Sequence, residues 1–273
     1  MADTILRVAG ISKRFGGLQA LSDVGLTIER GQVYGLIGPN GAGKTTFFNV
    51  ITGLYTPDSG TFELAGQPYT PSAVHEGARA GIARTFQNIR LFADMTALEN
   101  VMVGRHIRTK SGLLGAIFRT RSFREEERAI AERAYELLDY VGIRRLADYK
   151  ARTLSYGDQR RLEIARALAT DPQLIALDEP AAGMNSTEKV VLRELIDRIR
   201  NDGRTILLIE HDVKLVMGLC DRVTVLDYGK PIAEGTPADV QRNEKVIEAY
   251  LGHSHKPAAG LPTAAPLAPG EGQ

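Results

Sequence analysis

The strongest constraint in this sequence is a glycine-rich segment, residues 38–46, which reads GPNGAGKTT and directly follows the apolar run 33–37. Glycines let a backbone wrap closely around an anion and turn its N–H groups toward it. A helix that starts at the end of such a loop adds its positive N-terminal end to the same site. The motif G-x4-G-K-T between a short strand and a helix, predicted over 46–52, therefore indicates a phosphate-binding loop for a nucleoside triphosphate.

The residues of this phosphate-binding loop have distinct predicted contacts. Lys44 is expected to reach the β- and γ-phosphates, and the hydroxyl of Thr45 is expected to ligate Mg²⁺. The loop backbone is expected to surround the phosphates. The predicted nucleotide contacts in the loop are Gly38, Pro39, Asn40, Gly41, Ala42, Gly43, Lys44, Thr45 and Thr46.

Length and composition narrow the class of protein. The 273 residues are enough for one large domain or for a core with a sub-domain. A net charge of +1 favours neither nucleic acid nor an anionic membrane surface as a partner. The single cysteine, Cys220, excludes an internal disulfide and fits a reducing cytoplasm.

Hydrophobic segments give no sign of a membrane span. No apolar stretch approaches the roughly 20 residues that cross a bilayer, and the N-terminus lacks the apolar core of a signal peptide. If the chain works at a membrane, we expect it to do so through another protein.

The chain divides into three regions by residue pattern. Residues 1–70 contain short apolar runs separated by glycine-rich turns, which predicts strands. Within a helical region of about 88–169, apolar residues recur at helical spacing from Ile130 to Val141. From 154 onward strands and helices alternate, which is typical of a mostly parallel sheet flanked by helices. We therefore predict one α/β domain over 1–252 and, because residues 253–273 are rich in Pro, Ala and Gly, a disordered tail.

A basic segment, residues 105–124, carries Leu113, Leu114, Ile117 and Phe118 among its charges. One interpretation is a short amphipathic helix packed on its own domain. The other is a contact surface for a partner protein or for lipid headgroups. The sequence leaves both open.

A pair of carboxylates follows the apolar run 174–177. Asp178 ends this predicted strand, where it is expected to supply a second protein contact to Mg²⁺. The adjacent Glu179 is then placed to polarise the attacking water as a general base.

The segment 154–161 reads LSYGDQRR and leads into a predicted helix over 162–169. Here the chain resembles the ATP-binding-cassette ATPases, whose signature is usually written Leu-Ser-Gly-Gly-Gln. Ser155 and Gly157 match that signature, whereas Tyr156 and Asp158 depart from it.

In that family the signature caps the γ-phosphate of ATP held on the opposite subunit. The resemblance therefore implies that Ser155 and Gly157 contact ATP across a dimer. A hydroxyl and an unobstructed N–H at a helix start suit an anion. The alternative is that Ser155 merely caps its own helix.

The same resemblance assigns three further residues. A glutamine that senses Mg²⁺ and the attacking water corresponds to Gln87, and a histidine that contacts the γ-phosphate corresponds to His211. An aromatic residue that stacks on adenine corresponds to Phe15, for which an ordinary core position is the alternative. Catalytic roles are thus implied for Gln87, Glu179 and His211, and metal contacts for Thr45, Asp178 and Gln87.

Within the family, the chain looks like the larger ATPase subunit of branched-chain amino acid importers. The features that carry this likeness are Tyr156, the segment AAGMN at 181–185, the basic segment 105–124 and the segment VIEAYLG at 246–252. Asn185 stands where cassette proteins usually carry Asp at the subunit interface. This departure bears on how strongly the two ATP sites of a dimer would influence each other.

The resemblance implies an α/β P-loop fold with a mostly parallel core sheet, an N-terminal antiparallel β region and a helical sub-domain. It also implies a head-to-tail dimer with a second cassette ATPase at the cytoplasmic face of the membrane, with ATP and Mg²⁺ as cofactors. Integral-membrane permease subunits would dock near 87–103, where Ile89, Leu91, Phe92 and Met95 offer apolar contacts. A periplasmic or extracellular solute-binding protein would take part indirectly, and no nucleic acid is expected.

Two alternatives remain at this point. One is the ATPase of another cassette transporter, for amides, urea or lipids. The other is a soluble cassette switch acting on nucleic acid or ribosomes, which the near-neutral charge and the lack of a long heptad run disfavour.

Overall fold

The computed structural model describes residues 3–71, 73–109 and 120–254. The N-terminal part contributes a four-stranded antiparallel sheet in the order β2-β1-β4-β5. Its strands are β1 (Thr4–Phe15), β2 (Leu18–Glu29), β4 (Ser59–Leu64) and β5 (Gln67–Pro68). Strands β1 and β2 form a hairpin around the predicted glycine turn at Gly16 and Gly17.

The central sheet has six strands in the order β10-β9-β3-β8-β7-β6. All neighbours pair in parallel except the edge strand β10, which is antiparallel to β9. The strands are β3 (Val33–Ile37), β6 (Ile82–Arg84), β7 (Leu174–Asp178), β8 (Thr205–Ile209), β9 (Arg222–Asp227) and β10 (Lys230–Gly235). The mostly parallel core sheet and the separate antiparallel region agree with the fold predicted from the sequence.

Helices cover both faces of the central sheet. They are α1 (Lys44–Ile51), α2 (Val74–Ala80), α3 (Ala97–Arg105), α4 (Arg121–Tyr140), α5 (Tyr156–Leu168), α6 (Ser186–Asn201), α7 (Val213–Leu219), α8 (Pro237–Gln241) and α9 (Glu244–Ser254). Short 3-10 turns occur at His106–Arg108, Arg144–Leu146 and Ala151–Thr153. No helix of the described ranges is long and apolar enough to cross a membrane.

Strand β3 shows how the sheet separates two cores. Alternate residues of a strand point to opposite faces. Tyr34 and Leu36 join a core with α1 and the antiparallel sheet, whereas Val33 and Ile37 face a core built by the helices of the other side. All five residues of β3 are buried, as expected for a strand covered on both faces. The phosphate-binding loop leaves the carboxyl end of this strand.

Several predicted boundaries differ from the observed ones. Helix α5 begins at Tyr156, so most of the signature segment lies in its first turns instead of preceding a helix at 162. Helix α9 extends to Ser254, past the predicted domain boundary at 252. The basic segment 105–124 contributes the end of α3 and the start of α4, and its residues 110–119 lie outside the described ranges, as does the predicted tail from 255 onward.

Candidate nucleotide-binding and hydrolysis site

The phosphate-binding loop adopts a backbone that requires glycine at two positions. Gly38 has a φ of 150°, and a Cβ there would lie 2.1 Å from the carbonyl oxygen of Leu226. Gly43, with a φ of 99°, caps helix α1, and a Cβ there would lie 2.7 Å from the carbonyl oxygen of Ala20. These contacts leave no room for a side chain, so the glycines predicted from the motif are needed by the loop itself.

Replacing Gly38 by alanine is expected to weaken ATP binding by more than about tenfold and to lower the melting temperature, because the new Cβ collides with backbone in a conformation that alanine disfavours. Titration with a fluorescent ATP analogue and a thermal melt measure both effects. Gly17→Ala is the matched control, since a Cβ at Gly17 meets nothing within 4 Å. Normal binding by Gly38→Ala would contradict the assigned loop geometry.

The side chain of Lys44 bonds the backbone of its own phosphate-binding loop. This side chain is buried, and Nζ donates hydrogen bonds to the carbonyl oxygens of Gly38 at 2.6 Å and Pro39 at 3.0 Å. Burial lowers the pKa of Lys44, and the nearby charges of Glu179 and Asp178 partly oppose that shift. The ammonium therefore lies among the backbone groups that would meet the phosphates, where an anionic ligand would favour its charged form.

A cavity of about 440 Å³ brings the loop together with two other predicted site residues. It is lined by Leu18, Gln19, Ala20, Asn40, Gly41, Ala42, Gly43, Lys44, Thr45, Thr46, Gln87, Glu179 and Tyr228. Gly38 and Pro39 lie outside this lining and act instead as acceptors for Lys44. The loop, a glutamine and a carboxylate thus share one open space of a size suited to a nucleotide.

The two consecutive carboxylates have different environments. Asp178 ends β7 and is 3% exposed, and burial, followed by the adjacent charge of Glu179, raises its pKa to about 6. Glu179 has a left-handed φ of 45°, an uncommon conformation for a residue with a side chain, and its N–H donates to the carbonyl oxygen of Ile209 at 2.9 Å. Such strained conformations cluster at functional sites, where the surrounding structure maintains them.

Two predicted catalytic side chains, Gln87 and His211, lie next to the third, Glu179. Gln87 Nε2 donates to Glu179 Oε2 at 3.0 Å. His211 Nδ1 lies 3.7 Å from the same oxygen, and its ring is 58% exposed. Gln87 and Glu179 line the cavity, whereas His211 lies outside its lining and is next to it only through Glu179. The roles of these side chains in hydrolysis stay predictions.

The signature residues lie elsewhere. Ser155 Oγ accepts the N–H of Asp158 at 3.2 Å and donates to the carboxylate of that residue at 2.7 Å, so Ser155 caps α5. A Cβ at Gly157 would lie 2.7 Å from Glu188 Oε1. Neither Ser155 nor Gly157 lines the cavity of its own chain. Capping of α5 is thus observed, and a contact with the partner's ATP stays a prediction.

Phe15 also lies outside the cavity lining. Its ring packs edge-on against Tyr55 at 5.2 Å between centroids, and Lys13 Nζ lies 5.5 Å from its centroid. The aromatic ring that lines the cavity is Tyr228, which has a left-handed φ of 44°. Stacking of Phe15 on adenine therefore stays a prediction.

Sequence reasoning passed over Glu210, which is fully buried next to His211. Its carboxylate accepts the N–H of Ala181 at 2.9 Å and the N–H of His211 at 3.2 Å, and burial raises its pKa. The sequence signal was a glutamate directly after the apolar run of β8, a pattern that an ordinary exposed strand end also shows.

The residues present fit the magnesium nucleotide implied by the loop. No group of three or more His, Cys, Asp or Glu residues that could hold a metal ion occurs in the described part of the chain. Mg²⁺ at nucleotide sites typically takes one or two carboxylates, with phosphate oxygens and waters completing its shell. Thr45 and Gln87 line the cavity, and Asp178, 3% exposed and outside that lining, ends β7 directly before Glu179. These three side chains would hold the ion.

Comparison with known proteins identifies the family. Residues 21–182, more than half of the chain, match the family described as ABC transporter. The chain belongs to the ABC transporter family. Residues 230–256 of this ABC cassette also match the family described as branched-chain amino acid ATP-binding cassette transporter. The cassette is thus an ATPase whose hydrolysis is coupled to transport.

Named relatives cover nearly the whole cassette. It is 47% identical over 255 residues to the high-affinity branched-chain amino acid transport ATP-binding protein BraF of Pseudomonas aeruginosa, covering 93% of this chain and 100% of BraF. The same coverage and 47% identity hold for LivG of Escherichia coli K12, a protein of the same description. The lipopolysaccharide export ATP-binding protein LptB of Haemophilus influenzae is 34% identical, covering 93% of this chain and 99% of LptB.

Solved structures share the fold of the cassette. The crystal structure of an ABC transporter cassette in its ADP conformation superposes with a TM-score of 0.79 at 35% identity, covering 91% of this chain and 99% of that one. A dimeric bacterial ABC transporter cassette superposes with a TM-score of 0.73 at 26% identity, covering 85% and 99%.

Proposed function

We propose that this cassette is the ATP-hydrolysing subunit of an importer for branched-chain amino acids, bound peripherally at the cytoplasmic face of the membrane. The observation that carries the substrate class is the match of residues 230–256 to the branched-chain amino acid cassette family. The higher identity to BraF and LivG than to LptB supports the same choice over a lipid system. Amides and urea remain the alternative substrates.

The site geometry supports a hydrolysis mechanism with distinct residue roles. The phosphate-binding loop and Lys44 bind the phosphates and orient the γ-phosphate. Glu179 accepts a proton from the attacking water. Gln87, which donates a hydrogen bond to Glu179, orients that water. His211, also next to the carboxylate, contacts the γ-phosphate. When bound, Mg²⁺ neutralises negative charge on the phosphate oxygens.

We infer that the working unit is a head-to-tail dimer in which the signature segment of one chain completes the site of its partner. Ser155 and Gly157 lie outside the cavity of their own chain, which supports a role in trans. The superposition on a dimeric cassette supports the same assembly. Bound ATP would hold the two chains together and hydrolysis would release them, a two-state change that the nucleotide biases.

A largely apolar groove of about 550 Å³ is the proposed docking site for a helical segment of a permease subunit. Its apolar lining includes Val74, Phe86, Phe92, Val103 and Ile107, and Arg84 and Arg166 add charge. Phe86 directly precedes Gln87, so the groove adjoins the hydrolysis site through consecutive residues. Of the four apolar contacts predicted in this region, Phe92 lines the groove, whereas Leu91 packs against the helical core.

Phe92→Asp is expected to weaken binding to the permease subunits by at least about tenfold, because an exposed aromatic anchor becomes a hydrated charge. The measurement is co-purification of the tagged chain with membrane proteins after detergent extraction, alongside ATP binding by the isolated chain. Ile247→Asp, at a similarly exposed apolar residue on α9, is the control. Undiminished co-purification of Phe92→Asp would place the docking surface elsewhere.

The importer assignment is tested by the proteins that co-purify from detergent-solubilised membranes, identified by mass spectrometry. Two multi-spanning permeases with a second cassette ATPase are the expected result. Uptake of radiolabelled leucine, lost on deletion of the gene while uptake of urea and amides persists, would establish the substrate class. Recovery of the chain without membrane proteins, alone or with ribosomes or DNA, would contradict the transporter role.

A further inference from the structure

An ion pair without any solvent exposure lies on helix α5, just after the signature glycine. Arg160 and Glu163 are both 0% exposed at the side chain, and Arg160 Nη1 lies 2.8 Å from Glu163 Oε2. Arginine and glutamate are rarely buried completely, and a buried pair is often no more stabilising than apolar residues of the same size. Its stabilising effect alone therefore does not account for this pair.

Both members of the pair bond the backbone of residues 86–90, here called the glutamine segment. Arg160 donates to the carbonyl oxygen of Phe86 at 2.6 Å and to that of Gln87 at 2.8 Å. Glu163 Oε1 accepts the N–H of Phe86 at 3.2 Å and that of Arg90 at 3.5 Å. The planar guanidinium thus binds carbonyl oxygens of this segment, and the carboxylate binds its N–H groups. Together they fix the position of its backbone.

The glutamine segment carries the side chain that touches the proposed general base. Gln87 Nε2 donates to Glu179 at 3.0 Å, and its own carbonyl oxygen accepts from Arg160 at 2.8 Å. On its other side, Arg160 donates to the hydroxyl of Tyr156 at 3.1 Å, which places the signature segment in the same network. Helix α5 and the hydrolysis site are therefore joined by consecutive hydrogen bonds.

We propose that Arg160 and Glu163 are positioning residues for hydrolysis, which hold Gln87 at the distance from Glu179 that turnover requires. The inference rests on the proposed function, in which Gln87 and Glu179 act on the attacking water. Neither side chain of the pair is exposed or lines the cavity, so the pair acts through the backbone of the glutamine segment. A small misplacement of a reacting group can lower the rate of a reaction strongly. Disturbing the pair would shift Gln87, so it lowers kcat without affecting nucleotide affinity.

The test is a double-mutant cycle on ATP turnover by the transporter reconstituted with its permease subunits. Arg160→Lys keeps the charge but loses the planar fork, and it is expected to lower kcat about tenfold to 100-fold with KM within about twofold. Gln87→Ala is expected to lower kcat similarly. In the Gln87→Ala background, Arg160→Lys should then have almost no further effect.

Glu163→Gln is the second variant, because the amide preserves the size of the side chain if Arg160→Lys folds poorly. Arg204→Lys is the matched control, since Arg204 is half-buried and donates to a backbone carbonyl of Pro172 away from the glutamine segment. Melting temperatures of all variants monitor stability.

The outcomes separate this proposal from the function on which it rests. If both pair variants reduce kcat equally in the wild-type and Gln87→Ala backgrounds, the pair does not act through Gln87 and the inference is overturned. A parallel rise in KM would also overturn it, by indicating a role in nucleotide binding. Unchanged turnover of Gln87→Ala itself would instead remove Gln87 from the proposed mechanism.

Discussion

Replacing Glu179 by glutamine is expected to lower ATP turnover by about 100- to 10,000-fold, the range typical for loss of a general base. The amide cannot take a proton from water, yet its oxygen still accepts the hydrogen bond from Gln87. The proposed phosphate contacts are made by the phosphate-binding loop and Lys44, so ATP affinity should stay within about twofold. Because hydrolysis would release the dimer, ATP should also trap Glu179→Gln as a dimer.

Phosphate release measures turnover, and size-exclusion chromatography with and without ATP measures the dimer. Glu194→Gln, an exposed position on α6, is the matched control and should behave as the unmodified chain. Wild-type turnover in Glu179→Gln would remove Glu179 as the base and direct attention to another carboxylate at the site. A monomeric variant in saturating ATP would contradict the proposed link between nucleotide and dimer.

Replacing Lys44 by alanine is expected to weaken ATP binding by about 10- to 100-fold, as charge-assisted hydrogen bonds contribute about 1.5–3 kcal/mol. The ammonium is buried within the loop, where water screens its charge poorly. Its loss therefore removes a strong electrostatic attraction to the phosphates. The two carbonyl oxygens that it bonds also lose their donor.

Isothermal titration with ATP in the presence of Mg²⁺ measures this change, and a thermal melt of the nucleotide-free chain separates it from unfolding. Lys230→Ala removes an exposed lysine on β10 and is the control for the change of net charge. Unchanged affinity of Lys44→Ala would contradict the assignment of residues 38–46 as the phosphate-binding loop.

Local patterns predicted those parts of the site whose geometry depends on consecutive residues. The glycines of the phosphate-binding loop and the carboxylates at the end of β7 were predictable because a strand end, a tight turn and a helix start are encoded within a few positions. Helix boundaries were less predictable. The segment 154–161 has the character of a loop in sequence, but Ser155 caps α5 and helical structure begins directly after it.

Long-range contacts account for what the sequence did not predict. Gln87 and Glu179 are 92 positions apart, and their hydrogen bond exists because β6 and β7 are parallel neighbours that end at the same edge. Glu210 and the Arg160–Glu163 pair lie in patterns that suit an ordinary strand end or helix surface. Their burial and their partners depend on which elements pack together.

The sequence by itself determined that this chain binds a nucleoside triphosphate and, through its combined motifs, to which family it belongs. Phosphate binding depends on backbone conformation over a few residues, and glycine spacing encodes that conformation directly. Only the tertiary structure decided that Gln87 and His211 meet at Glu179, that Ser155 and Gly157 lie outside the lining of their own cavity, and that Arg160 and Glu163 bond the glutamine segment. Those relations depend on side chains brought together by sheet pairing and helix packing, which no local pattern specifies.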